Sequence, residues 1–458
     1  MKQTINALLI NPWITDFAAY NLWAEPLGLL YVASVLRDAG AQISFIDCLF
    51  SSVDENPRPK RNGCSKYKRS IIDKPDCLQF VPREYARYGI SDEEMQTRLA
   101  EIHRPDVVLI SSMMTYWYPG IAMAIEHVHE AFGRDVPIIL GGIYTMLCAE
   151  HAARLAAASL AGAKHAATIR IYGSDNLLSL FTIIEGLTGV SFEVHPHSLS
   201  FDHYPLPAHE LAPHRQFFSI MTSKGCPFDC SYCASHQIHT KLVQRNPHAV
   251  LEELHSNRAK LATHNVAFYD DALLLHADNH ILPILKAVAE ENIKLAMHLP
   301  NGIHARYVTE DVAHWFRVSG VETIRIGLET ADPVLQERTG DKAHNDEYRR
   351  AVGLFRAAGY SRKEVGTYIM VGLPGQSPQS VENSLALVGE SGAAPHLSYF
   401  SPIPGTNIWE EALRSTTLPA HEEPLFQNNS VFILKNPHFT VETISHLKEM
   451  AIDLRTQR

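Results

Sequence analysis

Three cysteines lie within eight residues, Cys226, Cys230 and Cys233, at a C-x3-C-x2-C spacing. Thiolates are soft ligands, and this spacing lets one short loop offer three of them to one metal centre. A four-iron cluster takes four ligands, so three cysteines leave one iron open. An open iron can bind a small molecule and pass it an electron. Zinc is the main rival, but a structural zinc site wants a closed set of four ligands. His236 would complete such a set as C-x3-C-x2-C-x2-H. The plainest alternative is three neighbouring thiols with no shared metal.

The elements that must position this loop alternate between strand and helix. An apolar run at 217–222 and a turn at Ser223, Lys224 and Gly225 lead into the cysteines. After them, helical stretches alternate with short apolar runs near 266–269, 294–298, 323–328, 364–371 and 397–400. Short continuous apolar runs between helices read as parallel, buried strands. Polar or glycine-rich residues follow each run, which is the end where βα folds build their sites. Six βα units fall short of the eight of a closed barrel.

Upstream, the same alternation predicts a separate domain over 1–189, a doubly wound, Rossmann-like α/β sheet. Its strands are expected near 7–10, 43–46, 106–112, 136–140 and 168–172. Residues 51–90 are basic and proline-punctuated, and read as an insertion that covers a face or contributes to a substrate site. A histidine- and proline-rich linker is expected over 190–213, including His195 and His197. The partial barrel would span 214–414. A C-terminal extension over 415–458 carries a strand-like run at 430–434 and a helix from 441.

The composition bounds the function class. The chain has 458 residues, 46 per cent of them hydrophobic and 20 per cent charged, which suits two or three folded domains. A net charge of −10 argues against a protein that coats nucleic acid. No run of eighteen apolar residues is present, so no membrane span is predicted. The first residues lead straight into an apolar run without a signal-peptide pattern, and the seven cysteines are an odd number. Reduced thiols in the cytoplasm are therefore expected.

With these residues in place the chain resembles the radical S-adenosylmethionine (SAM) superfamily, with an N-terminal cobalamin-binding-like domain. Cys226, Cys230, Tyr232 and Cys233 resemble its cysteine motif. The resemblance implies a [4Fe-4S] cluster on the three thiolates, with SAM on the open iron. It also implies reductive cleavage of SAM to a 5′-deoxyadenosyl radical that takes hydrogen from unactivated carbon. Asp270 and Asp271 stand where family members hold the SAM ammonium; a helix N-cap pair is the structural alternative. Arg325 and Glu329 resemble the fourth-strand motif that reaches the ribose or amino-acid end of SAM. A buried Arg–Glu pair is the alternative there. The turns at Gly372 and Pro402 resemble the fifth- and sixth-strand motifs.

In the first domain, Ser111, Ser112, Met113 and Thr115 and the later Gly141, Gly142 and Ile143 resemble the cobalamin module's Ser-x-Leu and glycine-pair positions. The module's cobalt-ligating His has no counterpart at 11–16, so a bound cobalamin would lack a His lower ligand. Tyr116, Trp117 and Tyr118 could line its face or simply pack. The resemblance thus implies a cobalamin-dependent methyltransferase acting on a small molecule, lipid or peptide. An electron donor such as flavodoxin or ferredoxin would serve it. The alternatives are radical SAM cyclisation, oxidation or rearrangement without methyl transfer, and a non-catalytic zinc or iron–sulfur protein.

Overall fold

Strands buried on both faces need helices to cover them, and the apolar runs of this chain are arranged to provide that. The computed structural model describes residues 4–53, 56–161, 168–194, 199–213 and 215–456. The linker histidines His195 and His197 lie outside them. The chain divides into two compact units, one of residues 1–216 with 422–425, the other of 217–421 with 426–458.

The first unit opens with β1 (Asn6–Asn11), β2 (Ile14–Asp16), β3 (Tyr20–Asn21), α1 (Leu27–Asp38) and β4 (Gln42–Asp47). Then come β5 (Ser65–Lys66), β6 (Arg69–Ile71), β7 (Ala86–Tyr88), α2 (Asp92–Ala100) and β8 (Val107–Ser112). It continues through α3 (Tyr118–Phe132), β9 (Ile138–Gly142), α4 (Ile143–Leu147), α5 (Ala149–Ser159), β10 (Ile169–Ile171) and α6 (Leu177–Thr188). Five parallel strands form one sheet in the order β10-β9-β8-β1-β4. The order reverses between β1 and β8, the switch point at which doubly wound sheets open a crevice. Each face of this sheet has its own apolar core. Leu8, Ile10, Val108 and Ile110 point to one, and Ala7, Leu9, Val107 and Leu109 to the other.

Residues 51–90 are not a bare loop. β6 and β7 join β2 in a three-stranded antiparallel sheet, and β5 pairs with β3. The strands are only two or three residues long, too short to show an alternating pattern in sequence.

The second unit starts with β11 (Phe218–Ile220), β12 (Ser223–Lys224), α7 (Ser235–Ile238), β13 (Val243–Gln244), α8 (Pro247–Lys260) and β14 (Asn265–Phe268). Next are α9 (Ile281–Glu290), β15 (Ala296–His298), α10 (Glu310–Ser319), β16 (Val321–Glu329), α11 (Pro333–Arg338) and α12 (Asn345–Ala357). It ends with β17 (Val365–Val371), α13 (Pro378–Glu390), β18 (Ala394–Tyr399), α14 (Trp409–Arg414), α15 (Asn429–Phe432) and α16 (Val441–Thr456). Six strands form an all-parallel sheet in strictly sequential order, β11-β14-β15-β16-β17-β18. This is a partial TIM-like (β/α)6 barrel.

Local chemistry sets its helix ends. Side chains of Asn246, Thr309, Asp332 and Ser377 accept amide hydrogens at the starts of α8, α10, α11 and α13, and Gly320 ends α10 in the left-handed region. One expectation fails: the strand-like run at 430–434 is helical. Asn428 accepts from the amide of Ser430, a side-chain cap that starts α15.

Candidate active site

The cysteine loop leaves the C-terminal end of β11 on a short ribbon, β12 paired antiparallel with β13. Gly225 follows with φ 83°, and a Cβ there would lie 2.4 Å from the carbonyl oxygen of Lys241. Only glycine makes that turn. The Ser231 amide then donates to the Thr339 carbonyl (3.2 Å), and the Ile408 amide donates to the Ser231 carbonyl (2.9 Å). Gly340, at φ 105°, passes so close that a Cβ would sit 2.8 Å from Cys230 Cα. Phe228, between the first two cysteines, packs on buried His304 with ring centroids 4.7 Å apart.

The three thiols are free, Cys230 buried and the other two half-buried. Burial pushes all three pKa values up, that of Cys230 to about 11. A bound metal reverses this by stabilising the thiolates. Among the described residues no three His, Cys, Asp or Glu side chains crowd together as ligands of one ion. In a four-iron cluster the cysteines bind separate irons, and three thiols with a shared short loop are the donor set such a cluster takes.

Two acids follow β14. Asp270 is buried, and one of its carboxylate oxygens accepts from the hydroxyls of Thr222 and Ser223, both at 2.6 Å. The other faces the Thr222 amide at 3.3 Å. Burial raises its pKa in spite of these bonds. Asp270 therefore ties the root of the cysteine loop to β14. Asp271 accepts from the Ser235 hydroxyl (2.7 Å), two residues beyond Cys233. Its charge is felt at both Cys226 and Cys233.

Glu329 ends β16 at φ 64°, a backbone region that costs a non-glycine residue energy and that collects at functional sites. Its carboxylate lies 3.3 Å from Lys342 Nζ. Burial works against the Lys342 charge, but Glu329 and Cys230 outweigh it and hold the ammonium's pKa above the usual value. A Cβ on Gly327 would come within 2.4 Å of Lys342 Nζ, so the glycine makes room for this pair. The Tyr232 hydroxyl is buried against Cys230, with Glu329 and Cys233 nearby.

Arg325 stands four residues before Glu329 on β16, whose register against β17 shifts between Gly327 and Glu329. Four residues span about 13 Å of strand. Arg325 crosses Gly366 toward His396 and donates to the Ile324 carbonyl (2.9 Å), while Glu329 meets Lys342. Gly372 turns at φ 92°, and the side chain of Gln376 accepts from its amide (2.8 Å). Pro402 is buried just after β18.

In the first unit, Ser111 and Ser112 at the end of β8 pair with Gly141 and Gly142 at the end of β9. A Cβ on Gly142 (φ 87°) would meet Ser111 Oγ and the Ser112 carbonyl, each at 2.5 Å. Met113 is half-buried and Thr115 buried; Ile143 opens α4 directly after the glycines. The aromatic trio packs: Tyr116 is buried, Trp117 Nε1 donates to Asp16 (3.0 Å), and Tyr118 donates to Glu423 (3.1 Å).

Sequence reasoning missed Thr222, Lys342 and Gln376. Thr222 and Lys342 act across gaps in the chain of 48 and 13 residues.

Residues 220–388 match the radical SAM superfamily. The chain is 22% identical over 384 residues to an uncharacterized methyltransferase, PH0819, of Pyrococcus horikoshii, covering 79% of this chain and 82% of that one. It is 24% identical to the cytidylyl-2-hydroxyethylphosphonate methyltransferase of Streptomyces wedmorensis, over 89% of this chain and 81% of that one. Its fold is that of the radical SAM methyltransferase TsrM from Kitasatospora setae, solved with cobalamin and a [4Fe-4S] cluster. The TM-score is 0.68 at 15% identity, over 99% of this chain and 89% of that one. Residues 220–388 are thus a domain that matches the radical SAM superfamily, here a partial barrel preceded by a doubly wound α/β module, and the chain has the fold of TsrM. A [4Fe-4S] cluster and SAM are the cofactors of that domain. Among the described residues no helix is long and apolar enough to cross a membrane.

Proposed function

We propose that this protein is a cobalamin-dependent radical SAM methyltransferase acting on an unactivated carbon of a small organic substrate. The observation that carries the reading is the loop bearing Cys226, Cys230 and Cys233. It leaves the first strand of a six-stranded parallel barrel with the Glu329–Lys342 pair against it. When bound, the cluster and SAM supply a carbon-centred oxidant and cobalamin supplies the methyl carrier.

The chain's own residues hold and orient. The three cysteines would ligate three irons of the cluster. Lys342 places a buried positive charge beside the thiolates and offsets part of theirs. Asp271 and Glu329 would receive the ammonium and ribose of SAM, and Tyr232, Arg325, Gly372 and Pro402 would complete its surroundings. Asp270 positions the loop from below. Ser111, Ser112, Met113, Thr115, Gly141, Gly142 and Ile143 form the rim at the ends of β8 and β9 where cobalamin would be held. Gly142 keeps that rim free of a side chain. A small acidic electron carrier of the flavodoxin or ferredoxin kind would reduce the cluster.

The test is anaerobic purification after growth with added cobalamin, followed by iron, sulfide and cobalamin analysis and incubation with methyl-labelled SAM. Four irons, bound cobalamin and label in a substrate-derived product are expected. Deoxyadenosine without label transfer, or no cobalamin, would refute methylation. One zinc without iron would refute the whole reading.

A further inference from the structure

We propose that the ribbon of β3 and β5 in the first unit, with the turn at residues 60–64, is a docking site for an anionic lipid bilayer. The charge of the chain is unevenly spread. Residues 57–74 hold seven Lys or Arg against one Asp, in a protein whose net charge is −10. Arg58, Lys60, Arg61, Lys66, Lys68 and Arg69 are all exposed, Arg69 being paired with Glu84 (2.9 Å).

Large apolar side chains stand among these cations. Tyr20 is 56% exposed and Leu22 60%, and Tyr20 sits directly opposite Lys66 in the ribbon. Ile71, 62% exposed, ends the neighbouring edge strand β6 beside Arg69. Single exposed apolar residues are ordinary on soluble proteins. Here two project from the ribbon that also carries the densest basic run.

The ribbon is held in shape, so the display is not a frayed loop. Trp23 Nε1 donates to the Asn62 carbonyl (2.7 Å), and Asn21 Nδ2 donates to Ser65 Oγ (3.1 Å). The Lys60 amide donates to the Cys64 carbonyl (2.7 Å), and the Gly63 amide donates to the Lys60 carbonyl (2.9 Å). Trp23 and Cys64 are buried beneath it.

This pattern fits a bilayer better than other anionic partners. A few apolar anchors within a cluster of Lys and Arg are what a negatively charged lipid surface recognises. Tyrosine, apolar in body and polar at its tip, favours the headgroup level. A stable protein interface takes about twenty to thirty residues a side with an apolar centre, more than this ribbon offers. Single-stranded nucleic acid is read on aromatic platforms, and Tyr20 is the one exposed aromatic on the ribbon.

The test is co-sedimentation of the full-length protein with vesicles of phosphatidylcholine, with or without about 30 per cent phosphatidylglycerol. Binding to the anionic vesicles alone is expected, with release as salt rises from about 0.1 M to 0.5 M and the Debye length shrinks. Replacing Lys60, Arg61 and Lys66 together by Glu should lower partitioning by about tenfold or more, and replacing them by Gln should have an intermediate effect. The pair Tyr20→Ser and Leu22→Ser should lower it by about tenfold while leaving the salt dependence in place. Unchanged melting curves show that the variants fold. The proposal is overturned by equal binding to neutral vesicles or by charge-reversed protein that partitions like the parent. It is also overturned if the parent ignores anionic vesicles, and retention by single-stranded DNA or by an acidic protein would then name the other partner.

Discussion

Replacing Asp270 separates its two readings, a contact to SAM and a lock on the cysteine loop. Both hydroxyl hydrogen bonds, from Thr222 and from Ser223, end on the same carboxylate oxygen at 2.6 Å. An Asn at this position keeps an oxygen there and keeps both bonds. It loses the 3.3 Å contact from the Thr222 amide to the second oxygen and puts a donor against a donor instead. It also removes a buried charge, and burial is what raises the Asp270 pKa. The net cost of Asp270→Asn is then about 1 kcal/mol. In Asp270→Ala both hydroxyls lose their acceptor, although Thr222 still meets His280 Nε2 at 2.9 Å. Hydrogen bonds to a charged group are worth about 1.5–3 kcal/mol each. After the relief of the buried charge the loss is about 3 kcal/mol. For a unit of this size that corresponds to a drop in melting temperature of about 6–12 °C for Ala and about 2–4 °C for Asn. Thermal melting of the apoprotein and iron content after reconstitution read the lock. Equilibrium SAM binding to the reconstituted protein reads the ligand role. The lock predicts that Asn loads iron and binds SAM nearly as the parent does, whereas Ala loses both. An Asn variant that melts and loads iron normally but binds SAM tenfold more weakly would refute it. So would an Ala variant indistinguishable from the parent.

Three further changes probe the same surroundings. Gly340→Ala places a Cβ 2.8 Å from Cys230 Cα at φ 105°. It should cost about 1–3 kcal/mol and lower iron loading, read by iron analysis; full loading would mean that the 339–340 segment does not hold the loop. Lys342→Met strands the mostly buried Glu329 carboxylate and should cost about 3 kcal/mol, whereas the double change Lys342→Met with Glu329→Gln should recover most of it in thermal melting. Acid should destabilise the protein through His298. Its fully buried ring lies between Thr323 and Asn265, and burial, with Arg325, lowers its pKa to about 4. The folded value is below the unfolded value of about 6.5, so the unfolded chain binds the proton first. His298 thus contributes up to about 3 kcal/mol above pH 6.5, lost as the pH falls toward 4. Melting temperature against pH should fall less steeply over that window for His298→Gln than for the parent, and equal slopes would remove His298 as the cause.

The cysteine loop and the two α/β units are legible in sequence for one physical reason: each is announced by residues close together in the chain. Three thiols in eight residues need no fold to be seen, and a buried parallel strand is a short apolar run wherever it occurs. The run at 430–434 shows the limit of that signal. Ser-Val-Phe-Ile-Leu is equally compatible with a strand and with a buried helical turn. The residue that decides is Asn428, two positions outside it, whose side chain caps the turn. Roles made by distant contact leave less trace. Asp270 reads in sequence as one of two equivalent acids. Thr222, 48 residues upstream, makes them inequivalent by engaging the first and leaving Asp271 toward the thiols. Lys342 carries no spacing signal at all. It is one lysine in a loop, and it acquires meaning because Gly340 brings that loop onto Cys230 and Gly327 leaves a gap for its ammonium. The glycines are thus the sequence trace of this arrangement. At each one the fold brings two distant parts of the chain closer than a Cβ allows, and both closures converge on the loop that carries the cysteines.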